Sequence, residues 1–302
     1  MRRCFDNRMT EASGGLAPAH QDMMRVNELN WDARTSVHIA SRYYGLEEGK
    51  APDPSRWFAP FEWDDLGELK DLDVLHLQCH LGTETIAFAQ RGARTVGLDI
   101  SGDAIDAARD LATRAAIPVE YVHANVYDAP RALEGRQFDI IYTGKGALYY
   151  LPDLNAWAKA ITQLLRPGGK LYIAEFHPLL NALRPRPHDG DGPDLVGHHY
   201  EAEELVIGHD YLANGTIQRE STHTYTDGPA LEGSTEFFEW MHGLDDVINA
   251  VIGAGLRVEA LRETHQLPWR RWHRMESTPD GWWQLPANEP RIPLLYALLA
   301  RK

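Results

Sequence analysis

Two side chains that can form hydrogen bonds, Gln78 and His80, stand in a short turn after an apolar run, and Gly82 closes the turn. The pattern then switches to helical spacing, and a second apolar run further along ends in one carboxylate, Asp99. Strand, turn, helix, strand and acid is the order of the first half of a nucleotide-binding unit. These residues indicate a ligand site at the end of a strand.

The turn argues against two common phosphate-binding motifs. A nicotinamide dinucleotide site has the pattern G-x-G-x-x-G, and the aligned positions here are Gln78, His80 and Thr83. The P-loop pattern G-x-x-x-x-G-K-[ST] is absent as well. Side chains stand where a pyrophosphate would need bare backbone, whereas a ligand without phosphates can accept them.

The elements that position this turn alternate between strands and helices. Strands are predicted at Asp73–Leu77, Thr95–Asp99, Val119–Ala124, Phe138–Thr143, Gly169–Phe176, Arg257–Glu263 and Leu294–Ala300. Helices are predicted at Thr83–Arg91, Ser101–Ala115, Leu154–Leu165 and Leu244–Ala254. Such alternation predicts an α/β fold with a doubly wound, mostly parallel sheet, whose ligands bind beyond the carboxyl ends of the strands. One cleft would then be surrounded by Gln78–Gly82, Asp99, Asn125 and Thr143–Lys145.

The remaining segments divide the chain into a leader, a lid and an inserted cap. Residues 1–20 have no periodicity and are interpreted as a flexible leader, and residues 21–70 as an N-terminal helical lid and loop. Residues 71–302 form the α/β domain, with a substrate cap inserted at about 178–240. Within the cap, extended segments are expected to pair antiparallel around Asn214-Gly215.

Composition narrows the range of partners. The chain has 302 residues and a formal net charge of −14, which argues against a nucleic-acid backbone as its main partner. No apolar run has the length of a membrane span, and no apolar core follows the N-terminal arginines, so we expect a cytoplasmic protein without membrane contact. Two distant cysteines, Cys4 and Cys79, predict neither a disulfide framework nor a metal site. The oligomeric state is not predicted.

The order of these elements and several motifs resemble the class I, Rossmann-like S-adenosylmethionine-dependent methyltransferases. In that family the first loop runs acid-x-G-x-G-x-G, and the four positions here read His76, Gln78, His80 and Gly82. This loop is similar to a branch in which it reads L-Q-C-H-x-G. An L-x-P-G-G turn before the fifth strand also matches, and the resemblance covers residues 70–176 most strongly.

The resemblance implies a sheet order of 3-2-1-4-5-7-6 with strand 7 antiparallel, S-adenosylmethionine as the cofactor and S-adenosylhomocysteine as its product. It implies that Asp99 binds the ribose hydroxyls and that Asn125 faces the adenine amino group. An N-terminal helix often closes over the cofactor in this family. The cofactor-binding residues that it implies are Gln78, Cys79, His80, Gly82, Asp99, Ile100, Asn125, Val126, Thr143, Gly144, Trp31 and Arg34.

Methyl transfer needs a base only where the acceptor arrives protonated. His177, directly after the fifth strand, and His242, before the last helix, are the candidate catalytic residues, and His80 is assigned to the methionine end of the cofactor. The four tryptophans of the loop Gln266–Pro293 are either packing residues or a wall for an aromatic or lipophilic small molecule.

The predicted function is therefore transfer of a methyl group from S-adenosylmethionine to an oxygen or nitrogen of a small molecule. A protein that binds the same cofactor without catalysis is the alternative, because the first loop departs from the common form. A nicotinamide oxidoreductase is a third hypothesis, which the missing glycines disfavour.

Overall fold

The fold is described from a computed structural model that covers residues 16–46, 56–185, 204–213 and 215–302. Its helices are α1 Pro18–Ala40, α2 Pro60–Leu66, α3 Thr83–Gln90, α4 Gly102–Arg114, α5 Ala129–Ala132, α6 Leu154–Leu164, α7 Pro178–Ala182 and α8 Leu244–Gly253. Its strands are β1 Asp73–Leu77, β2 Arg94–Asp99, β3 Glu120–His123, β4 Phe138–Gly144, β5 Leu165–Phe176, β6 Leu183–Pro185, β7 Leu205–Ile207, β8 Gly215–Glu220, β9 Glu236–Met241, β10 Arg257–Thr264, β11 Gln266–Leu267, β12 Glu276–Ser277, β13 Trp283–Gln284 and β14 Leu295–Arg301.

A seven-stranded sheet carries the fold, in the order β3-β2-β1-β4-β5-β14-β10. The first five strands pair in parallel, and β14 runs antiparallel to both β5 and β10. Because β10 and β14 are the sixth and seventh strands of this sheet along the chain, the predicted order 3-2-1-4-5-7-6 with an antiparallel strand 7 is confirmed. The order reverses between β1 and β4, which places the switch point beside the loop after β1.

The sheet is covered on both faces because its inner strands are apolar on both sides. Successive residues of a strand point to opposite faces. Accordingly Leu75 and Ile141 pack in one buried cluster with Trp157 of α6. Val74 and Ile140 pack in the other cluster, which also holds residues of α2 and α3.

Local signals in the sequence set where the long helices begin. Ser101 caps α4, its hydroxyl accepting from the backbone N–H of Ala104 at 3.0 Å, and Asp153 caps α6 through the N–H of Ala156 at 2.9 Å. Such side-chain caps satisfy backbone donors that the first helical turn leaves unpaired. The α4 cap lies next to Asp99 and so fixes the chain direction at the end of β2.

Helix α1 packs on the β9 strand and on the start of α4. The amide of Asn27 exchanges two hydrogen bonds with the backbone of Phe238, and Asn30 donates to the carbonyl of Ser234 at 2.8 Å. Asp32 accepts from the Ser101 hydroxyl at 2.7 Å. These contacts hold the helix across the carboxyl-end edge of the sheet.

The antiparallel pairing predicted around Asn214-Gly215 is wrong. β8 begins at Gly215 and pairs with β9, whereas β7 pairs with β6. Alternation alone does not identify a strand's partner. Here the apolar side chains of β9 pack toward α1, and β8 pairs with β9. The predicted leader falls largely on residues 1–15, which lie outside the described residues.

None of the helices in the described ranges is long and apolar enough to cross a membrane. The proposed boundaries of the lid and of the cap at about 178–240 stay predictions.

Candidate functional site

The loop after β1 has an unusual backbone. Gln78 and His80 both adopt positive φ, at 57° and 46°, and Gly82 follows at 71°. A residue with a side chain rarely adopts this left-handed conformation, because its Cβ approaches a carbonyl oxygen. The loop thus keeps, at three alternate positions, a backbone that glycine adopts easily, although two of the positions carry side chains.

Gly82 must also lack a side chain for steric reasons. A Cβ at this position would lie 2.3 Å from the hydroxyl oxygen of Tyr121, which itself donates to the Gly82 carbonyl at 3.2 Å. Gly82 is the residue immediately before α3. The close approach of Tyr121 therefore fixes where the turn enters α3. Cys79, in the same turn, is buried.

Asp99 joins the end of β2 to this loop. Its carboxylate accepts from the backbone N–H of His80 at 2.7 Å and from that of Ser101 at 2.9 Å, and the residue is 7% exposed. Burial raises the pKa of Asp99, and these two N–H donors oppose the shift. Each carboxylate oxygen retains a further lone pair for a ligand hydroxyl.

Gln78 connects the same loop to the end of β4. Its side-chain amide donates to the Ala147 carbonyl at 2.8 Å, and its oxygen lies 3.4 Å from the Thr143 hydroxyl. Gly144, the last residue of β4, follows Thr143 directly. The predicted residues of β1 and β4 are therefore brought together at the switch point.

Ile100, Asn125 and Val126 lie at the ends of the neighbouring strands, β2 and β3. His123 bonds the Ile100 carbonyl at 2.8 Å. The Asn125 side-chain oxygen accepts from the Tyr127 N–H at 3.2 Å and so caps a short 3-10 helix at Val126–Asp128. This oxygen keeps one lone pair, and Val126 is buried beside it.

Helix α1 brings a histidine that sequence reasoning did not assign to the site. His38 Nδ1 lies 2.8 Å from His80 Nε2, and His38 Nε2 lies 2.7 Å from the Thr224 hydroxyl. His38 is fully buried. His38 lies four residues after Arg34 and seven after Trp31, which places all three on one helix face, and this spacing is the signal that could have found it.

Trp31 and Arg34 also lie over the loop. The Trp31 ring is 5.1 Å from the His80 ring and 5.0 Å from the Tyr150 ring, both in edge-to-face geometry. The Arg34 guanidinium lies between the rings of Trp31 and Phe237, at 4.9 and 4.5 Å, and donates to the Tyr150 hydroxyl. The predicted lid residues are thus in contact with the β1 loop.

Two buried nitrogen atoms at this place have no hydrogen-bond partner among the described residues, His80 Nδ1 and Arg34 Nε. Buried polar atoms are seldom left unpaired, because an unmade hydrogen bond costs about 1–3 kcal/mol. A polar ligand between the loop and the lid would supply those partners. Together with the Asp99 carboxylate, which accepts hydrogen bonds, these nitrogens suit a ligand that carries both hydroxyls and a carboxylate.

The two candidate bases differ in their hydrogen bonds. His177 caps α7, its Nδ1 accepting from the Leu179 N–H at 3.1 Å, while its Nε2 lies 3.0 Å from a Glu263 carboxylate oxygen. His242 Nε2 lies 2.8 Å from the Leu151 carbonyl and so carries the hydrogen of that bond. Its Nδ1 is then the nitrogen with a lone pair.

The loop between β4 and α6 is anchored by a buried acid that sequence reasoning missed. Glu175 of β5, 2% exposed, accepts from the backbone N–H groups of Gly146, Leu148 and Phe176. Burial raises the pKa of Glu175, and the N–H donors oppose it. Glu175 thereby positions Tyr149 and Tyr150 on the ligand side of the sheet.

Of the four tryptophans in the loop after β10, two are packing residues. Trp272 and Trp282 are buried with Leu180 and Leu294, whereas Trp269 contacts Phe176 at the end of β5, with ring centroids 4.6 Å apart. The loop is therefore fixed to the body of the protein close to the carboxyl ends of β4 and β5.

Residues 75–171 match the model of a family described as a methyltransferase domain. The chain is 26% identical over 215 residues to the ubiquinone biosynthesis O-methyltransferase of Xanthomonas euvesicatoria pv. vesicatoria, covering 70% of this chain and 74% of that protein. It is 30% identical over 143 residues to the protein of the same name from Salmonella arizonae, covering 46% of this chain and 57% of that protein.

Solved structures with a similar fold include an S-adenosylmethionine dependent methyltransferase from Mesorhizobium loti. That structure has a TM-score of 0.54 at 22% identity, covering 80% of this chain and 96% of the other. A second, an S-adenosylmethionine-dependent methyltransferase from Clostridium acetobutylicum, has a TM-score of 0.52 at 12% identity, covering 83% and 92%. These similarities show the fold.

Proposed function

Because this chain is an S-adenosylmethionine-dependent methyltransferase with the class I fold, we propose that the cofactor lies across the loop between β1 and α3 and that a small molecule accepts the methyl group on oxygen or nitrogen. The observation that carries the proposal is the pairing of Asp99 with the left-handed loop at the switch point. In this arrangement the buried Asp99 carboxylate and the left-handed loop after β1 lie side by side at the carboxyl-end edge of the sheet, where a ligand can contact both.

In this proposal the adenosyl end lies over β2 and β3. Asp99 accepts from the two ribose hydroxyls with the lone pairs that His80 and Ser101 leave available. Ile100 and Val126 bound the adenine, and Asn125 accepts from its amino group. A carboxylate is a suitable acceptor for two adjacent hydroxyls because it has two oxygens at the right separation.

The methionine end is assigned to the loop after β1 and to the end of β4. On one side it would contact the loop after β1, at Gln78, Cys79, His80 and Gly82. On the other side it would contact the end of β4, at Thr143 and Gly144. His80 Nδ1 and Arg34 Nε, which lack partners among the described residues, would bond its polar groups. Trp31 would close over the methyl-bearing centre together with Tyr150, which excludes water.

When bound, the cofactor would supply an activated methyl group: the acceptor atom bonds to the methyl carbon as the carbon–sulfur bond breaks in line, and S-adenosylhomocysteine is the leaving group. The protein's task is to align the acceptor with that methyl group, and alignment alone can provide a large part of the rate enhancement. For a hydroxyl acceptor we propose His242 as the base, because its Nδ1 carries a lone pair. His177 is the less favoured candidate, since both of its ring nitrogens are engaged.

An oxygen acceptor on an aromatic or lipophilic molecule fits this site best. The relatives from Xanthomonas and Salmonella are both named as O-methyltransferases. Tyr149, Tyr150 and Phe237 offer aromatic surface next to the lid. The L-Q-C-H-x-G branch and a cytoplasmic location stay predictions.

Calorimetric titration tests the cofactor assignment. S-adenosylmethionine and S-adenosylhomocysteine should bind with measurable heat, and NAD should not. Binding of NAD alone would overturn the assignment. Methyl-labelled S-adenosylmethionine incubated with candidate phenols and amines then tests catalysis, because a protein that only binds the cofactor releases no labelled product.

A further inference from the structure

Three arginines stand close together in the loop after β10, and their partners differ. Arg270 donates to the His273 carbonyl and lies over the Trp283 ring at 5.4 Å. Arg274 pairs with the Glu289 carboxylate. Arg271 forms no hydrogen bond, ion pair or cation–π contact with any residue in the described ranges, and it is exposed.

The loop around Arg271 is held at the ligand side of the sheet. Trp269, two residues before it, contacts Phe176 at the end of β5, and Trp272, the next residue, is buried against the cluster that contains Leu180. Because both neighbours are fixed inward, the position of Arg271 in the loop is set, while the residue as a whole is exposed.

Arg271 lies near side chains of two other segments of the chain. Desolvation by nearby protein lowers the pKa of Arg271, while Tyr149 and Glu239 raise it. Tyr149 belongs to the loop after β4, and its hydroxyl lies 3.4 Å from the Phe176 carbonyl. Arg271 is therefore within electrostatic range of the proposed acceptor site, and a guanidinium stays charged there.

The nearby acid does not neutralise Arg271. The Glu239 carboxylate is paired with Arg219 at 2.5 Å. Burial raises the pKa of the Tyr149 hydroxyl well above its usual range, so this group is neutral at pH 7. In a chain with a net charge of −14, an accessible cation without its own acidic partner favours an external anion.

We propose that Arg271 binds an anionic group, a carboxylate or a phosphate, on the methyl acceptor. The guanidinium presents two parallel N–H donors that match either group. The inference rests on the proposed function, and it adds that the methylated oxygen or nitrogen is a different atom from the anionic group. Arg271 is here a specificity residue and takes no part in the transfer itself.

The test uses the whole protein, S-adenosylmethionine labelled on its methyl group, and a deproteinised metabolite extract as the source of acceptor. Labelled product is passed over an anion-exchange resin at neutral pH. The inference expects the product to be retained and to elute with salt, whereas unreacted cofactor, a sulfonium cation, passes through. A reaction without protein gives the background.

Arg271→Gln is compared with Arg270→Gln, the adjacent exposed arginine. At limiting acceptor, Arg271→Gln should lower label incorporation about 10- to 100-fold, which is the loss expected for a charged hydrogen-bond pair. Arg271→Lys should restore part of it. Arg270→Gln should match the wild type, and S-adenosylhomocysteine should bind all four proteins equally by calorimetry.

The outcomes separate this inference from the proposed function. Labelled product that is not retained by the resin overturns the anionic acceptor and leaves methyl transfer standing. Equal losses in Arg270→Gln and Arg271→Gln, or weaker S-adenosylhomocysteine binding in Arg271→Gln alone, overturn the specific role of Arg271. A wild-type protein that forms no labelled product overturns the proposed function and the inference with it.

Discussion

The imidazoles of His38 and His80 lie 2.8 Å apart, and this contact connects helix α1 to the loop after β1. The chain of hydrogen bonds continues to Thr224, 186 residues away in sequence. In neutral imidazoles only one nitrogen of the pair can donate, so the arrangement couples the tautomers of both rings. His38 thereby determines whether His80 Nδ1 faces the proposed cofactor as a donor or as an acceptor.

His38→Ala should weaken cofactor binding without unfolding the protein. It removes the contact that orients His80 and leaves Thr224 without its partner, so we expect S-adenosylhomocysteine affinity to fall about tenfold, the effect of one lost hydrogen bond. Calorimetry at pH 7.5 measures the change. His20→Ala, on the same helix but near Trp240, is the matched control and should bind like the wild type. Unaltered affinity in His38→Ala would contradict a lid role for α1.

Buried histidines should make the protein less stable in mild acid. Burial lowers the pKa of His76 to about 3 and also that of His38, whose neighbour His80 adds to the shift. Between the unfolded pKa, about 6.5, and these folded values, the unfolded chain binds protons that the folded chain does not. The free energy of unfolding should therefore fall as pH drops through this window.

Urea denaturation at pH 7.5, 6 and 5 tests the sign of that dependence. His76 is 2% exposed, and replacing it by Gln should flatten the slope by up to about 1.4 kcal/mol per pH unit. His209→Gln, at an exposed position, is the control. A wild-type protein that gains stability from pH 7.5 to pH 5 would show that these histidines are protonated when folded.

Asp99→Asn should reduce affinity for both S-adenosylmethionine and S-adenosylhomocysteine by about 100-fold, because two hydrogen bonds to a charged acceptor are weakened. The substitution preserves size, but the amide nitrogen that replaces one carboxylate oxygen cannot accept a hydrogen bond, so one of the two loop contacts, with the N–H of His80 or of Ser101, is lost as well. Asp106→Asn removes a surface carboxylate that pairs with Arg109 and serves as the control. If Asp99→Asn and Asp106→Asn bound the two ligands with equal affinity, the proposal that Asp99 binds the ribose hydroxyls would be wrong.

The sheet could be predicted from the sequence because its strands are short apolar runs separated by strong turn and helix signals. The strand β1 was predicted at the observed bounds, and the end of β2 at Asp99 was placed correctly. The resemblance then supplied the order of the strands. What periodicity could not supply was the pairing of β8 with β9, because a long connection separates them.

The site was predictable in its chemistry but not in its geometry. Gln78 and His80 stand at glycine positions of the family pattern, but glutamine and histidine do not themselves predict a left-handed backbone, which is held here in a turn whose His80 N–H bonds Asp99. The contact of His38 with Thr224 depends on how the lid packs, which a single helix pattern does not specify. Helical spacing alone is enough to put Trp31, Arg34 and His38 on one face of α1, although only Trp31 and Arg34 were predicted as site residues.

Gly82→Ala should destabilise the protein much more than Gly135→Ala. Both glycines have φ near 70°, so both substitutions carry the same backbone strain of about 1–2 kcal/mol. Only at Gly82 does the new Cβ meet another group, the Tyr121 ring, whereas nothing lies within 4 Å at Gly135. We expect a further loss of about 1–3 kcal/mol from overpacking. If urea denaturation gave the same loss in the free energy of unfolding for Gly82→Ala and Gly135→Ala, the Tyr121 ring would have moved aside without cost.

A buried ion pair under the proposed cofactor site gives the last prediction. Glu62 has no exposed surface and accepts from Lys145 at 3.0 Å, from the Tyr142 hydroxyl at 2.9 Å and from the Ala59 N–H at 2.9 Å. Removing one partner of such a pair leaves the other charge buried and uncompensated. Glu62→Ala should therefore lower the free energy of unfolding by about 3–5 kcal/mol.

Two comparisons identify the cause of that loss. The double variant Glu62→Gln, Lys145→Met removes both charges and should regain much of the stability, because the cost arises from the unpaired ammonium. Glu120→Ala breaks the exposed pair of Glu120 with Arg136, whose side chains are 51% and 47% accessible, and should cost less than about 1 kcal/mol. If the double variant were as unstable as Glu62→Ala, the unpaired charge of Lys145 would not be the cause of the loss.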